Sequence, residues 1–208
     1  MIEVSEPVLD GIKELVNIGI GRAAGGLKTL TGHHVTLQIP DIHLISTDEL
    51  SSQLVFPDSS FSVVNQGYSG AFIGTSVLVI PEKSADSLFF LLTGEQERTP
   101  CNNELRKITL LEVGNIIVNS VMGSITNILG QKLEFHLPEY REDSLDHLLT
   151  HAQIADSNTV VMTHARFTVE DLDIQGEILL LLADRSIEIL ASCINVVQHR
   201  NRMVEYTE

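Results

Sequence analysis

The sequence predicts a layered α+β fold. Two pseudo-symmetric halves, each running helix, strand, short helix, two strands and helix, share one β-sheet with long helices packed on it. Three observations predict it: an internal repeat at one offset, two amphipathic helices of one design, and paired long strands ahead of a closing helix. ELVN at 14–17 has its counterpart in EVGN at 112–115, and the 98-residue interval from Glu14 to Glu112 also links Asn17 to Asn115, Gly32 to Gly130 and Pro40 to Pro138.

Each element repeats in that register. Ile12, Ile20, Ala23, Leu27 and Leu30 share one side at 100° per residue, as do Leu110, Val118, Val121, Ile125 and Ile128 in the second copy. Gly32 and Gly130 suit the left-handed position past each helix end. Strict alternation follows, with Val35, Leu37 and Ile39 apolar in one copy and Leu133, Phe135 and Leu137 in the other. Each run closes at a proline, Pro40 or Pro138, whose missing N–H suits a strand end. STDELSSQL (46–54) and EDSLDHLLTH (142–151) are short-helix candidates opened by capping residues. Residues 61–80 and 159–182 each hold two long strands and a turn, and EKSADSLFFLLTG and DRSIEILASCINVV are closing helices. The chain, 1–208, is expected to be one domain of two halves, about 5–98 and 104–205, joined by the turn-prone EQERTPCNN.

Composition narrows the function. At 43% hydrophobic residues the 208-residue chain can build a real core. Its 13 basic against 28 acidic residues give a net charge of −15 without any Lys/Arg cluster. That argues against nucleic acid and anionic membrane as partners and for a protein with a basic face. Neither a signal peptide nor a membrane span is expected, so the protein is expected to be cytoplasmic. Cys101 and Cys193 have no ligand or redox spacing and are expected as reduced thiols.

With residue 10 as zero, Glu14 and Asn17 project at about 40° and −20° on the 3.6-residue period, well away from the apolar face. Asp10, Glu14 and Asn17 thus form one stripe, continued by Gly21, Gly25 and Lys28. Small residues there would let a macromolecule approach closely. The second copy places Glu112, Asn115 and Asn119 on the matching stripe. Exposed Glu and Asn are usually just solvated, but a mediocre helix former repeated three residues after a Glu argues for a role of its amide. A carboxylate and an amide make neither a nucleophile nor a Lewis-acid centre. A carboxamide can, however, donate to and accept from one water and orient it for attack on a phosphoryl group.

Asp10, Glu14, Asn17 and Pro40 fit the pattern [D/S]-x3-E-x2-N-x22-P. This resembles the signature of the CheC/CheX/FliY phosphatases of bacterial and archaeal chemotaxis, and the paired copies are most like the CheC branch. The resemblance covers essentially the whole chain. It implies dephosphorylation of the response regulator CheY-P, with catalytic Glu14, Asn17, Glu112 and Asn115, each Asn positioning the attacking water and each Glu docking on a receiver lysine. Asp10 and Gly21 would serve binding, and Pro40 and Pro138 would be structural. No cofactor of its own is implied, since Mg2+ belongs to CheY. The second motif begins with Ile108 in place of Asp or Ser, so only the first is complete. The resemblance also implies a CheD deamidase partner, for which REDSLDHLLTH is the candidate surface. The rival reading is a non-catalytic adaptor that binds CheD or CheY-P, against which two retained amides weigh. His147 and His151 have metal-binding spacing without a third ligand, and GIGRAAGG lies inside a helix and lacks a phosphate-loop ending.

Overall fold

The computed structural model describes residues 4–38, 42–46, 49, 60–143, 159–169 and 172–205. Helix α1 (Glu6–Thr31) starts with a proline in its first turn and stops at Gly32, whose φ of 72° only glycine adopts cheaply. Strands β1 (Val35–Gln38), β2 (Ile42–Ser46), β3 (Phe61–Gly70) and β4 (Gly74–Pro81) lead to α2 (Glu82–Thr93). After a short 3-10 turn, α3 (Asn103–Leu129) opens the second half, also ending at a left-handed glycine, Gly130. Strands β5 (Leu133–Phe135), β6 (Glu139–Asp143), β7 (Thr159–Val169) and β8 (Leu172–Leu182) then precede α4 (Asp184–Glu205).

All described pairings are antiparallel, in one eight-stranded sheet ordered β1-β7-β8-β4-β3-β5, with β2 also on β7 and β6 also on β3. The halves exchange edges. The short strands of the first half pair with the long β7 of the second, those of the second pair with β3 of the first, and β4 and β8 join the two at the centre.

Each half has a short strand that sequence reasoning missed, IHLIS as β2 and EYRED as β6. Glu142 and Asp143, expected to open a short helix, end β6 instead, because pairing with β3 extends the chain there. The rest of that segment, residues 47–54 of its counterpart apart from Glu49, and Ile39 and Pro40 lie outside the described residues. The alternation in β5 meets the core only at its start: Leu133 packs against it, whereas Phe135 is 38% and Leu137 89% exposed, since β5 is an edge strand that stops at 135. Leu30, expected on the buried face of α1, is 40% exposed in the last turn.

One face of the sheet packs against the helices through Val64, Leu78, Ile80, Val161, Ile178 and Leu180. The other carries its own buried cluster, including Val63, Val77, Val79, Met162, Leu179 and Leu181. Burial on both faces explains unbroken apolar runs such as ILLLL in β8, where a half-exposed strand would alternate. The stretch Pro100–Leu129 is long and apolar enough to cross a membrane by length and composition, yet half of its most apolar window is buried. Leu110, Val113, Ile117, Val118 and Val121 sit in the core.

Helices α1 and α3 meet at backbone distance. A Cβ on Gly19 would lie 2.5 Å from Val121 Cα, and one on Gly26 would lie 2.8 Å from the Ile116 side chain. From Gly19 to Gly26 the residue met on α3 falls from Val121 to Ile116, so the helices run antiparallel. Arg22 Nη1 donates to Ser124 Oγ across the crossing (3.0 Å).

A polar knot locks α2, α3 and β6. Arg106, 1% exposed, pairs with Asp86 Oδ1 and Glu142 Oε1, each at 2.9 Å, and donates to the Tyr140 hydroxyl. Arg98 joins Glu82 to Glu142. Partial burial pushes the Glu142 carboxyl up, but hydrogen bonds and charge from Arg98, with help from Tyr140 and Arg106, outweigh it and hold the carboxyl below its ordinary value. The stability it contributes is therefore present above the usual carboxylate range and lost as pH falls.

Two glycines of α1 should respond oppositely to alanine. At Gly19 the new methyl meets backbone, so Gly19→Ala should cost about 1–2 kcal/mol as overpacking outruns the helix-propensity gain. At Gly21 nothing lies within 4 Å, so Gly21→Ala should stabilise by about 0.5–1 kcal/mol. Chemical denaturation of the two variants checks this, and equal signs would refute the crossing geometry.

Glu177, 3% exposed in β8, has its carboxyl pushed by burial from 4.5 to about 7. Folding therefore takes up a proton there. The stability linked to that uptake is full below about pH 4.5 and lost as pH rises through about 7. Denaturant unfolding between pH 5 and 8 should show wild type losing stability with rising pH relative to Glu177→Gln, and parallel curves would refute the shift.

Candidate functional site

The register that buries Val8, Ile12, Leu15, Val16 and Ile20 of α1 turns Asp10, Glu14, Asn17, Gly21, Gly25 and Lys28 outward, and all six are exposed. Among the described residues no hydrogen bond or ion pair engages the side chains of Asp10, Glu14 or Asn17. The glycines divide by role: Gly19 and Gly26 admit α3, whereas an added Cβ at Gly21 or Gly25 meets nothing within 4 Å. The surface one and two turns past Asn17, at Gly21 and Gly25, is therefore low because no side chain rises from it.

On α3, Glu112 is exposed and Asn115 half-buried. Asn119 Nδ2 donates to Asn115 Oδ1 at 2.7 Å, one helical turn apart. Asn119 Oδ1 is buried without a partner among the described residues, a cost of about 1–3 kcal/mol. Ile108, in the place of Asp10, is 61% exposed, which makes the entry to this stripe apolar. Pro138 is half-buried between β5 and β6, and Pro40 lies outside the described residues.

Antiparallel packing sets the two Glu/Asn pairs toward opposite ends of the helix pair. Asn115, next to Ile116, lies level with Gly26, nine residues past Asn17. At 1.5 Å rise per residue the two amides are offset by roughly 14 Å along the axis. The structure thus brings Glu14 near Asn17 and Glu112 near Asn115 without merging the pairs.

A shallow apolar groove beside Glu14, missed by sequence reasoning, is lined by Gly11, Leu15, Ile18, Ile128, Leu129 and Ile194. Its one sequence signal is Ile18, 38% exposed at the margin of the apolar face. Among the described residues no cluster of three or more His, Cys, Asp or Glu could hold a metal ion. Cys101 and Cys193 are free thiols. His147 and His151, and residues 144–151 of the CheD candidate surface, lie outside the described residues.

No protein-family model matches the chain. The flagellar motor switch phosphatase FliY of Bacillus subtilis is 25% identical over 138 residues, which cover 65% of this chain and 36% of that relative. The chain thus spans little more than a third of FliY. The CheY-P phosphatase CheC of B. subtilis is 24% identical over 146 residues, 69% of this chain and 68% of its own. CheC1 of Halobacterium salinarum is 22% identical across 91% of this chain and 95% of its own. Among solved structures, Thermotoga maritima FliY superposes with a TM-score of 0.78 at 18% identity, covering 94% of this chain and 100% of that one. FliM in its H. pylori complex with SpeE gives 0.69 at 14%, over 94% and 98%. The CheX–CheY–BeF3–Mg complex of Borrelia burgdorferi gives 0.52 at 16%, over 88% and 100%. The repeated helices on an edge-exchanged antiparallel sheet, together with these likenesses, give the chain the fold shared by CheC, CheX and FliY.

Proposed function

We propose that this protein is a phosphatase for the aspartyl phosphate of a CheY-type response regulator, acting through Glu14/Asn17 and Glu112/Asn115. The observation that carries the reading is the repetition of one pair, an exposed carboxylate and an amide one turn apart, on both long helices, with open surface at Gly21 beside the first pair. The curated relatives named CheY-P phosphatase or motor switch phosphatase support it.

Each residue has a physical task. The receiver holds its own Mg2+ and aspartyl phosphate, so most of the charge stabilisation arrives with the substrate. Asn17 or Asn115 enters beside the phosphate, and its carboxamide binds one water by N–H and C=O together, fixing the water in line with the bond to be broken. Glu14 or Glu112 pairs with a receiver lysine, a contact that sets depth and register. Asp10 adds a second anionic contact at the first site. Gly21 lets the receiver backbone settle against α1. The groove beside Glu14 offers apolar area for the same docking event. A cytoplasmic setting, where receivers are phosphorylated, follows from this reading.

The test is the decay of phosphorylated CheY from the same organism, followed with and without the protein. Wild type should accelerate decay. Asn17→Ala and Asn115→Ala should each leave the other site working, and the double variant should lose on the order of a hundredfold, the scale of a misplaced reactant. Acceleration that survives in the double variant would overturn the site assignment. Binding without acceleration by wild type would establish the adaptor instead.

A further inference from the structure

We propose that Asn119 is a positioning residue of the second site, holding the Asn115 carboxamide in one orientation, so that two pairs alike in sequence differ in action. The inference rests on the phosphatase reading above. Its starting point is the 2.7 Å hydrogen bond from Asn119 Nδ2 to Asn115 Oδ1. An asparagine amide offers two N–H donors and two acceptor lone pairs. The bond uses one lone pair of Asn115 and leaves the other, with both donors, for a water, and it fixes the plane of the amide.

Two further observations support a role beyond packing. Asn119 Oδ1 is buried with no partner among the described residues, a cost that a hydrophobic side chain of similar size would avoid. In α1 the residue 98 positions earlier is Gly21, around which an added Cβ would meet only open space. Among the described residues no side chain bonds the Asn17 amide, which must surrender its rotational freedom when the receiver docks. At the second site that ordering is complete before docking. The gain appears in the step that needs the oriented water, whereas docking through Glu112 is unaffected.

The experiment uses single-site proteins. Asn17→Ala leaves the second site alone and Asn115→Ala leaves the first, and kcat and KM are measured for each with phosphorylated CheY of the same organism. Asn119→Asp keeps size and shape but its carboxylate cannot donate to Asn115 Oδ1. In the Asn17→Ala protein, Asn119→Ala and Asn119→Asp should lower kcat about two- to tenfold, the order set by freezing one side chain, with KM little changed; Asn119→Ala, which removes the buried unpartnered oxygen, should do so without lowering the melting temperature. An unchanged kcat for Asn119→Asp at the isolated second site would overturn the proposal. So would an equal loss when the substitution is made in the Asn115→Ala protein, since that reports a general effect on the fold. A wild-type protein that does not accelerate decay would remove the phosphatase reading and this inference with it, a result distinct from an active enzyme indifferent to residue 119.

Discussion

The structure depends on how closely α1 and α3 approach. Gly19 has no side chain, and the space where its Cβ would stand is occupied by the backbone of Val121. Close approach lets Ile12, Leu15, Ile20 and Leu27 reach the same core as Leu110, Val118, Val121 and Ile125. It also fixes rotation. Once one face of each helix is committed to its partner and another to the sheet, the stripe with Glu14 and Asn17 has only solvent to face. The exposure of the candidate site is thus a consequence of packing on the far side of the helix.

The sheet makes the halves inseparable. β1 and β2 complete the edge beside β7, and β5 and β6 complete the edge beside β3. Neither half alone would have a finished edge, and an unpaired long strand such as β3 would present a row of open donors and acceptors. The Arg106 knot ties the same exchange in side-chain terms, since Asp86 comes from the first half and Glu142 from the second. A buried guanidinium between two carboxylates is weak evidence for net stability, but removing one partner strands a charge. It specifies where β6 and α2 sit against α3.

What could be read from the sequence follows from what leaves a local record. Helix α1 and its copy were legible because the 3.6-residue period and the 98-residue offset are written into consecutive residues, and Gly32 and Gly130 mark both ends. Asp10, Glu14, Asn17 and Gly21 emerged exposed for the same reason. β2 and β6 were not legible: IHLIS and EYRED are five residues each, and their strand character comes from partners in the opposite half. Leu137 continued the alternation past the end of β5, where it meets no core. The Asn119–Asn115 bond could not be read either, because spacing places two side chains on one face without stating which atom meets which. The groove beside Glu14 needs three helices to converge, and no single stretch encodes that.

The duplication therefore preserved a geometry and let its chemistry drift. Backbone, capping glycines and the Glu/Asn spacing are the same in both copies, since each is fixed by helix length and by the shared core. The positions flanking each pair are fixed by neither. Asp10 became Ile108 and Gly21 became Asn119 at exposed or half-buried sites where packing sets no strict demand, or the reverse changes occurred. One pair is left open, acidic at its entry and unencumbered around its amide. The other has an apolar entry and an amide already held. A fold that repeats its scaffold places such differences where they alter what the helix surface meets without altering how the helix is held.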